Sequence, residues 1–389
     1  MKVLLVGDFL PESVLLDSLA LRLAGPDVQV DGLGVLAALF RRYNDHTETP
    51  IPLRPRLLSR LPKFKTLVKV LNVRRFLARG GPGLEAPYDI CNIHFAWYGN
   101  AFLLPHLRAL AGKIILSVWG SDFYYHRSLY RPFQKRLFED ADVLTFANEY
   151  TRDDFNRYYA DRYARKCEIV RFGIRILDNI RDLEKTESPA VSRRKLGIPE
   201  DAFVITCGNN ANLNNQICRV IDSLLKVRDL LPPRARLLFP MTYGKEKSKA
   251  IASVQARLQG QNIPFTIFHE FLDDLDVARI RRATDIMIHL PRWDQFSGAM
   301  QEHLFAGNLV ITGAWLPYRK FEENGVFMKL CENLDQFPAV LADSLKSLSQ
   351  FRSLGAGNKD IIWRLSSWEA NTPLWKNLYR KTLGGDAGK

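Results

Sequence analysis

This sequence predicts an α/β protein of two domains, each built on a parallel sheet, and three observations carry the prediction. The chain has 389 residues, too many for one ordinary core and suited to two α/β domains. Short apolar runs such as 113–118 (KIILSV) and 285–290 (DIMIHL) alternate with stretches of helical spacing, as in sheets covered on both faces. The stretch 289–312 (HLPRWDQFSGAMQEHLFAGNLVIT) then completes one βαβ unit. Gln295, Phe296, Ser297 and Gly298 form a turn after the first apolar run. A helix from 298 to 306 carries Ala299, Leu304 and Phe305 as apolar members, and Gly307 and Asn308 stop it before a strand at 309–312.

The carboxyl end of a strand facing a helix N-terminus is where open α/β sheets place anionic ligands. Asp294 and Glu302 flank this turn, eight positions apart. Ionised carboxylates are acceptors only and suit pairs of sugar hydroxyls. An N-cap Asp and a solvated helical Glu would leave the same pattern, and the pattern alone leaves both readings open.

The stretch resembles the donor-sugar motif of GT-B glycosyltransferases of the broad family-4 type, which set two Glu eight apart around a Phe-Gly turn. Here Asp294 takes the place of the first Glu, and Ser297 that of the Gly following Phe296. The resemblance implies an α/β GT-B fold: two Rossmann-like domains, an interdomain cleft, and a C-terminal helix returning to domain one. It also implies that Glu302 holds a ribose while Asp294 and the turn amides hold the sugar.

Composition narrows the setting. Hydrophobic content of 47% and charged content of 25% are globular values. No run approaches the roughly 20 apolar residues of a membrane span, and MKVLLVGDF reads as a first strand rather than a signal peptide. Cys91, Cys167, Cys207, Cys218 and Cys331 are scattered, which suggests reduced thiols, a cytoplasmic protein and no structural zinc. A net charge of +13 points to an anionic partner, and without a nucleic-acid-binding signature that partner is a phosphorylated substrate or a membrane surface.

Along the chain, residues 2–7 are the first strand, with Gly7 and Asp8 at its end either bordering an acceptor or forming a plain turn. From Leu53 to Arg79 stand nine bases and no acid: Arg54, Arg56, Arg60, Lys63, Lys65, Lys69, Arg74, Arg75 and Arg79. Phe64, Leu67, Val68 and Leu71 make an apolar stripe after Pro62. We read this as a basic amphipathic helix lying on the anionic inner face of a membrane, the protein being peripheral there; packing of the stripe on the first sheet is the competing reading. Strands at 88–94 and 113–118 end in His94 and in the turn Trp119, Gly120, Ser121, Asp122. These resemble the "D-hydrophobic-x-x-H" strand end and the WGSD turn of the family, making His94 and Asp122, with Asp294, the candidate catalytic residues. A lone His94 would more often be a core histidine. The aromatic and basic run 123–136 fits either a lipid or sugar-phosphate entry or a helix surface.

Residues 1–173 form the first domain, 174–191 read as a linker, 192–360 form the second domain, and 361–389 a C-terminal helix and tail holding Trp363, Trp368 and Trp375. The second domain opens with RRKLGIP and a strand at 202–207. Its next loop holds Gly208, Asn209, Asn210, Ala211, Asn212, Leu213, Asn214 and Asn215 where most family members carry a diphosphate-binding Arg and Lys. Asparagines suit left-handed turns and amide hydrogen bonding. This loop, together with 239–244 (FPMTYG), resembles the enterobacterial TDP-fucosamine (Fuc4NAc) lipid II transferases. The resemblance assigns donor binding to Gly208, Asn209, Asn214, Asn215, Tyr243, Gly244, Arg292, Phe296, Ser297, Gly298 and Glu302, with Arg292 replacing the missing base and Lys245 and Lys247 as rivals. No DxD dyad stands at a strand end, so no metal and no cofactor are expected. The implied activity is metal-independent transfer of a sugar from a nucleotide donor to a saccharide or lipid-linked acceptor in surface polysaccharide or glycoconjugate synthesis. A sugar-nucleotide epimerase or hydrolase, or a non-catalytic binding subunit, would share the donor half.

Overall fold

β1 (Lys2–Gly7) is the centre of the first sheet, its middle four residues fully buried. The computed structural model describes residues 1–7, 14–52, 65–124, 130–294 and 296–384. They divide into two units, Met1–Gly173 with Trp368–Lys389, and Ile174–Ser367.

In the first unit β2 (Gln29–Gly34), β3 (Leu39–Arg42), β4 (Thr47–Pro50), β5 (Tyr88–His94), β6 (Ala111–Val118), β7 (Val143–Phe146) and β8 (Cys167–Ile169) join β1 in the order β4-β3-β2-β1-β5-β6-β7-β8. The strands from β2 through β8 in that order run parallel, and β3 and β4 add an antiparallel edge. Each face carries its own core. One holds Leu4, Val6, Cys91, Ile93 and Leu116; the other holds Val3, Leu5, Ile90 and Ile115. The period of two sends successive side chains to opposite faces, so a strand buried on both sides reads as a continuous apolar run.

Helix Trp368–Thr382 belongs to the second of these cores. Trp368, Trp375 and Tyr379 are buried against β1 and β5 residues, Trp375 Nε1 donates to the Arg171 carbonyl at 3.0 Å, and Asn92 Nδ2 donates to Tyr379 Oη at 2.9 Å. The chain end therefore returns to the first unit.

Helix Lys65–Ala78 corrects the expected apolar stripe. Val68, Val70, Val73, Phe76 and Leu77 are buried, with Val73, Phe76 and Leu77 in the first core, whereas Leu67 is exposed and Leu71 half-buried. The apolar face is thus rotated from the expected one and is used in packing. Lys69 donates to the Leu36 carbonyl at 2.7 Å, while Lys65, Arg74, Arg75 and Arg79 are exposed. Phe64, Asp8 and the bases Arg54, Arg56, Arg60 and Lys63 lie outside the described residues.

The second unit is a six-stranded parallel sheet, β9 (Phe203–Cys207), β10 (Ala235–Pro240), β11 (Phe265–Phe268), β12 (Ile286–His289), β13 (Leu309–Gly313) and β14 (Lys329–Cys331), in the order β11-β10-β9-β12-β13-β14. The order reverses between β9 and β12, which makes their carboxyl ends the crevice where such sheets bind ligands.

Residues 174–191, expected as a linker, are instead helix Ile176–Thr186 and the start of helix Pro189–Lys195, both part of this unit. Ile176, Leu177, Ile180 and Leu183 fall on one face and pack with Ala278, Met287 and Leu304. The exchange of units at the C-terminus comes at Trp368 rather than 361, because helix Asn358–Ser366 buries Ile362 in the second unit and Asn358 bonds both the N–H and the C=O of Phe327.

Candidate active site

The turn between β12 and helix Gly298–Phe305 excludes the reading of its acids as a helix cap and a solvated surface Glu. Ser297 is the helix cap: its Oγ accepts from the Met300 amide at 3.3 Å. Asp294 does other work. Its Oδ2 lies 2.6 Å from His289 Nε2 and also accepts from the Tyr318 hydroxyl. Tyr318 Oη in turn accepts from the Ser297 amide at 3.3 Å and lies 3.0 Å from His289 Nε2. An Nε2–H tautomer lets His289 donate to the carboxylate. Burial and the Asp294 carboxylate hold the Tyr318 phenol far above its ordinary range, so it stays a donor. Asp294 itself keeps a fifth of its side chain exposed.

Glu302 is not a solvated helical acid. Its Oε2 accepts from Arg281 Nε at 2.9 Å, and both side chains are buried. Arg281 Nη1 also lies 3.3 Å from His303 Nε2, and Asn308 fixes the other ring nitrogen at 2.7 Å. Burial, then the Arg281 charge, pushes the His303 pKa far down, keeping that ring neutral. The second carboxylate oxygen, Oε1, stands 3.7 Å from where a Cβ on Gly298 would be, beside the first turn of the helix. Anions are favoured there because the leading amides point outward.

Phe296 adopts φ 76°, a left-handed value uncommon for a bulky residue and costing roughly 1–3 kcal/mol. Its ring stacks on Phe321 at 4.5 Å between centroids and packs with the core of the second unit. That anchor holds the strained turn in place. Gln295 lies outside the described residues.

The asparagine loop is knitted to its neighbours. Asn215 Nδ2 donates to Asn210 Oδ1 at 2.8 Å and to the Asn210 carbonyl at 3.1 Å; Asn210 Nδ2 donates to Asn209 Oδ1 and to the Tyr243 hydroxyl. Asn214 Nδ2 donates to the Trp293 carbonyl at 2.7 Å, and the Arg292 amide donates to the Asn214 carbonyl at 2.9 Å. Asn214 thus clamps the loop to the β12 turn, and Asn215 braces the loop from within. Gly208 takes φ 68° and donates to the Ile288 carbonyl at 3.0 Å. Gly244 takes φ 146° and lies so close to Ala211 that a Cβ would sit 2.8 Å from its carbonyl carbon. Tyr243 is 58% exposed, and Arg292 and Lys245 are exposed too. Lys247 is committed to the Thr242 and His269 carbonyls.

Among the expected donor residues, then, the second unit groups Gly208, Asn209, Asn214, Asn215, Tyr243, Gly244, Arg292, Phe296, Ser297, Gly298 and Glu302 at the carboxyl ends of β9, β10 and β12. Sequence reasoning missed His289 and Arg281. The signal for His289 was its place as the last residue of β12, in line with the turn.

The first unit corrects two expectations. Asp122, a candidate catalytic residue in the turn after β6, is fully buried. Its Oδ2 accepts from the Ala96 amide at 2.6 Å and its Oδ1 from the Trp119 amide at 2.9 Å, tying the loops after β5 and β6 together. Burial raises its pKa to about 6 against the pull of these amides. His94 is buried as well, ringed by Trp119, Phe172 and Trp375, and makes no hydrogen bond to Asp122 or to any other described group. The two do not form an acid–base pair.

Solved structures give the fold. The chain is similar to sucrose-phosphate synthase from Thermosynechococcus elongatus, with a TM-score of 0.73 at 15% identity over 99% of both chains. It is similar to a glycosyltransferase from Rickettsia africae, with a TM-score of 0.71 at 12% identity over 98% of both. HepE of Anabaena in complex with UDP-glucose gives 0.67 at 14% identity, over 97% of this chain and 99% of that one. The chain has the GT-B fold of these glycosyltransferases. No protein-family model matches it, and no curated protein matches its sequence.

Proposed function

We propose that this protein is a GT-B glycosyltransferase that moves a sugar from a nucleotide-sugar donor to a hydroxyl acceptor. The observation that carries the reading is the turn after β12. An exposed edge of Asp294 is held by His289 and Tyr318, Glu302 is held by Arg281, and a capped helix N-terminus stands between the two acids. This is a binding site for a polyhydroxyl group joined to an anion. Glu302 takes ribose hydroxyls, Asp294 takes sugar hydroxyls, and the amides from Gly298 onward receive the diphosphate. Arg292, exposed beside the clamped asparagine loop, supplies the positive charge. Catalysis is then positioning plus electrostatic stabilisation of the departing diphosphate.

The structural neighbours support the donor class: HepE has been solved with UDP, with UDP and glucose, and with UDP-glucose. The acceptor is a saccharide or lipid-linked saccharide of surface polysaccharide synthesis, a reading that rests on sequence resemblance to the fucosamine lipid II transferases. No helix among the described residues is long and apolar enough to cross a membrane. The proposed membrane contact is peripheral, at the inner face, through the basic stretch that includes Lys65, Arg74 and Arg75. Transfer is metal-independent in this reading, since no DxD dyad stands at the carboxyl end of a strand, and turnover should survive EDTA.

Calorimetric titration tests the donor site. UDP and UDP-glucose are the first probes of a nucleotide-sugar panel. Asp294→Asn keeps the affinity for the free diphosphate and weakens the intact donor. Glu302→Gln weakens both, by about 1.5–3 kcal/mol for a charge-assisted bond. Wild-type protein that binds no member of the panel would refute the donor site.

A further inference from the structure

A groove of about 330 Å³ lies between helix Val14–Leu23 and helix Trp368–Thr382 in the first unit, at the lower end of small-molecule sites. The second helix lends it Glu369, Thr372, Pro373, Lys376, Asn377 and Arg380. Their spacing of three and four puts them on one helical face. From Glu369 to Arg380 that face is about 16 Å long. Trp368, 1% exposed, lies at one end, and the Arg22 guanidinium from the facing helix stands 5.7 Å from its ring centroid.

The polar side chains along this face are left on offer. Lys376 and Arg380 make no ion pair among the described residues, whereas their neighbour Lys381 pairs with Glu168 at 2.6 Å. Like charges one turn apart repel slightly, and only Arg380 stands in the last turn, where the helix dipole favours a cation. Helix stability therefore gives no reason for Lys376 beside Arg380. Thr382 turns its hydroxyl back to the Leu378 carbonyl at 2.8 Å, as helical Thr often does. Thr372 and Asn377 make no side-chain hydrogen bond to any described group.

These groups select the ligand. With Arg22, the groove sets three cations against one carboxylate, Glu369. A phosphate monoester brings about two negative charges and three acceptor oxygens. Lys376 and Arg380 suit it, and the Glu369 carboxylate repels it from the other end of the face. Thr372 and Asn377 can both donate to and accept from hydroxyls. Placement argues against a lipid headgroup. Helix Lys65–Ala78, with the bases proposed to meet a membrane, packs on one face of the first sheet, and both helices of the groove pack on the other.

We propose that this groove binds a small soluble phosphate monoester with a hydroxylated body, its phosphate on Lys376 and Arg380 and its hydroxyls on Thr372 and Asn377. The site belongs to the first unit, whereas the donor residues belong to the second, and it does not rest on the transferase reading.

Calorimetric titration of the full chain with glucose-6-phosphate, glucose and inorganic phosphate tests it. The expected result is saturable binding of glucose-6-phosphate, at least tenfold tighter than glucose or inorganic phosphate. Combining Lys376→Ala with Arg380→Ala should weaken glucose-6-phosphate at least tenfold and leave the titration with UDP unchanged. Both side chains reach solvent, so the double variant should keep the wild-type Tm in the absence of ligand. Equal affinity in the double variant would overturn the proposal, because the phosphate would then sit elsewhere. So would wild-type protein that does not bind glucose-6-phosphate, or binds it no tighter than inorganic phosphate. A double variant that loses sedimentation with phosphatidylserine vesicles would overturn it too, by assigning the groove to a headgroup. Protein that binds glucose-6-phosphate here and no nucleotide sugar keeps this site and loses the transferase reading; the converse result loses this site alone.

Discussion

Two buried ionisable groups in the first unit pull stability in opposite directions with pH. His94 has its folded pKa lowered to about 3, from an ordinary value of 6.5. Below pH 6.5 the unfolded chain takes up a proton that the folded chain refuses, so this group's contribution is lost as pH falls from 6.5 towards 3. Asp122 has its folded pKa raised to about 6, from 3.8. The folded chain holds that proton longer, so its contribution falls as pH rises from about 4 to about 6. His94→Phe isolates the first effect. Between pH 7 and pH 5, wild type should lose on the order of 2 kcal/mol more than the variant in urea denaturation. Parallel pH curves would show that His94 is protonated in the folded protein. At this scale the sequence was only partly legible. Asp294, Ser297, Gly298 and Glu302 could be picked out because they are neighbours along the chain. His289 stands 5 positions from Asp294, at the end of β12, but Tyr318 and Arg281 complete their bonds from 24 and 21 positions away, and no local pattern marks partners at that distance. Asp122 misled because a carboxylate at a strand end looks the same whether it faces solvent or two backbone amides.

Helix Trp368–Thr382 supplies Trp368, Trp375, Leu378 and Tyr379 to the core of the first unit. Trp375 is fully buried beside β1 and β5 residues and donates to the Arg171 carbonyl. Trp375→Ala should cost roughly 3–5 kcal/mol, the range for emptying a buried aromatic site; a loss below about 1 kcal/mol by urea denaturation would show the helix is not docked as described. Helix Lys65–Ala78 has its apolar face committed to the core, so membrane contact falls to its exposed bases alone. Changing Lys65, Arg74 and Arg75 to Glu should lower co-sedimentation with phosphatidylserine vesicles, and the wild-type binding should weaken with salt. Wild-type binding that is equal on neutral vesicles would contradict it. Elements were legible where one signal ruled. β1, β5, β6, β9, β12 and β13 are apolar runs and read as strands. β2, β3 and β4 do not, because QVDGLG and TETP are too polar or glycine-rich to stand out. Helix Ile176–Thr186 was hidden by its charged outer face, although its four buried apolar residues keep helical spacing.

For the whole molecule, chain length and the alternation of strands and helices are enough to predict two α/β units, in whose sheets β1 and β9 stand near the centres. The C-terminal exchange point is not legible in the same way, because it depends on Ile362 packing in one unit and Trp368 in the other. The central claim is that the paired acids at the end of β12 serve sugar transfer. The most direct measurement is nucleoside diphosphate release from the donor that titration identifies, with and without a hydroxyl acceptor, for wild type and Asp294→Asn. The account predicts release that depends on the acceptor, is matched by glycosylated product, and falls at least a hundredfold in Asp294→Asn. Release at the same rate without acceptor, or an Asp294→Asn variant as fast as wild type, would contradict it.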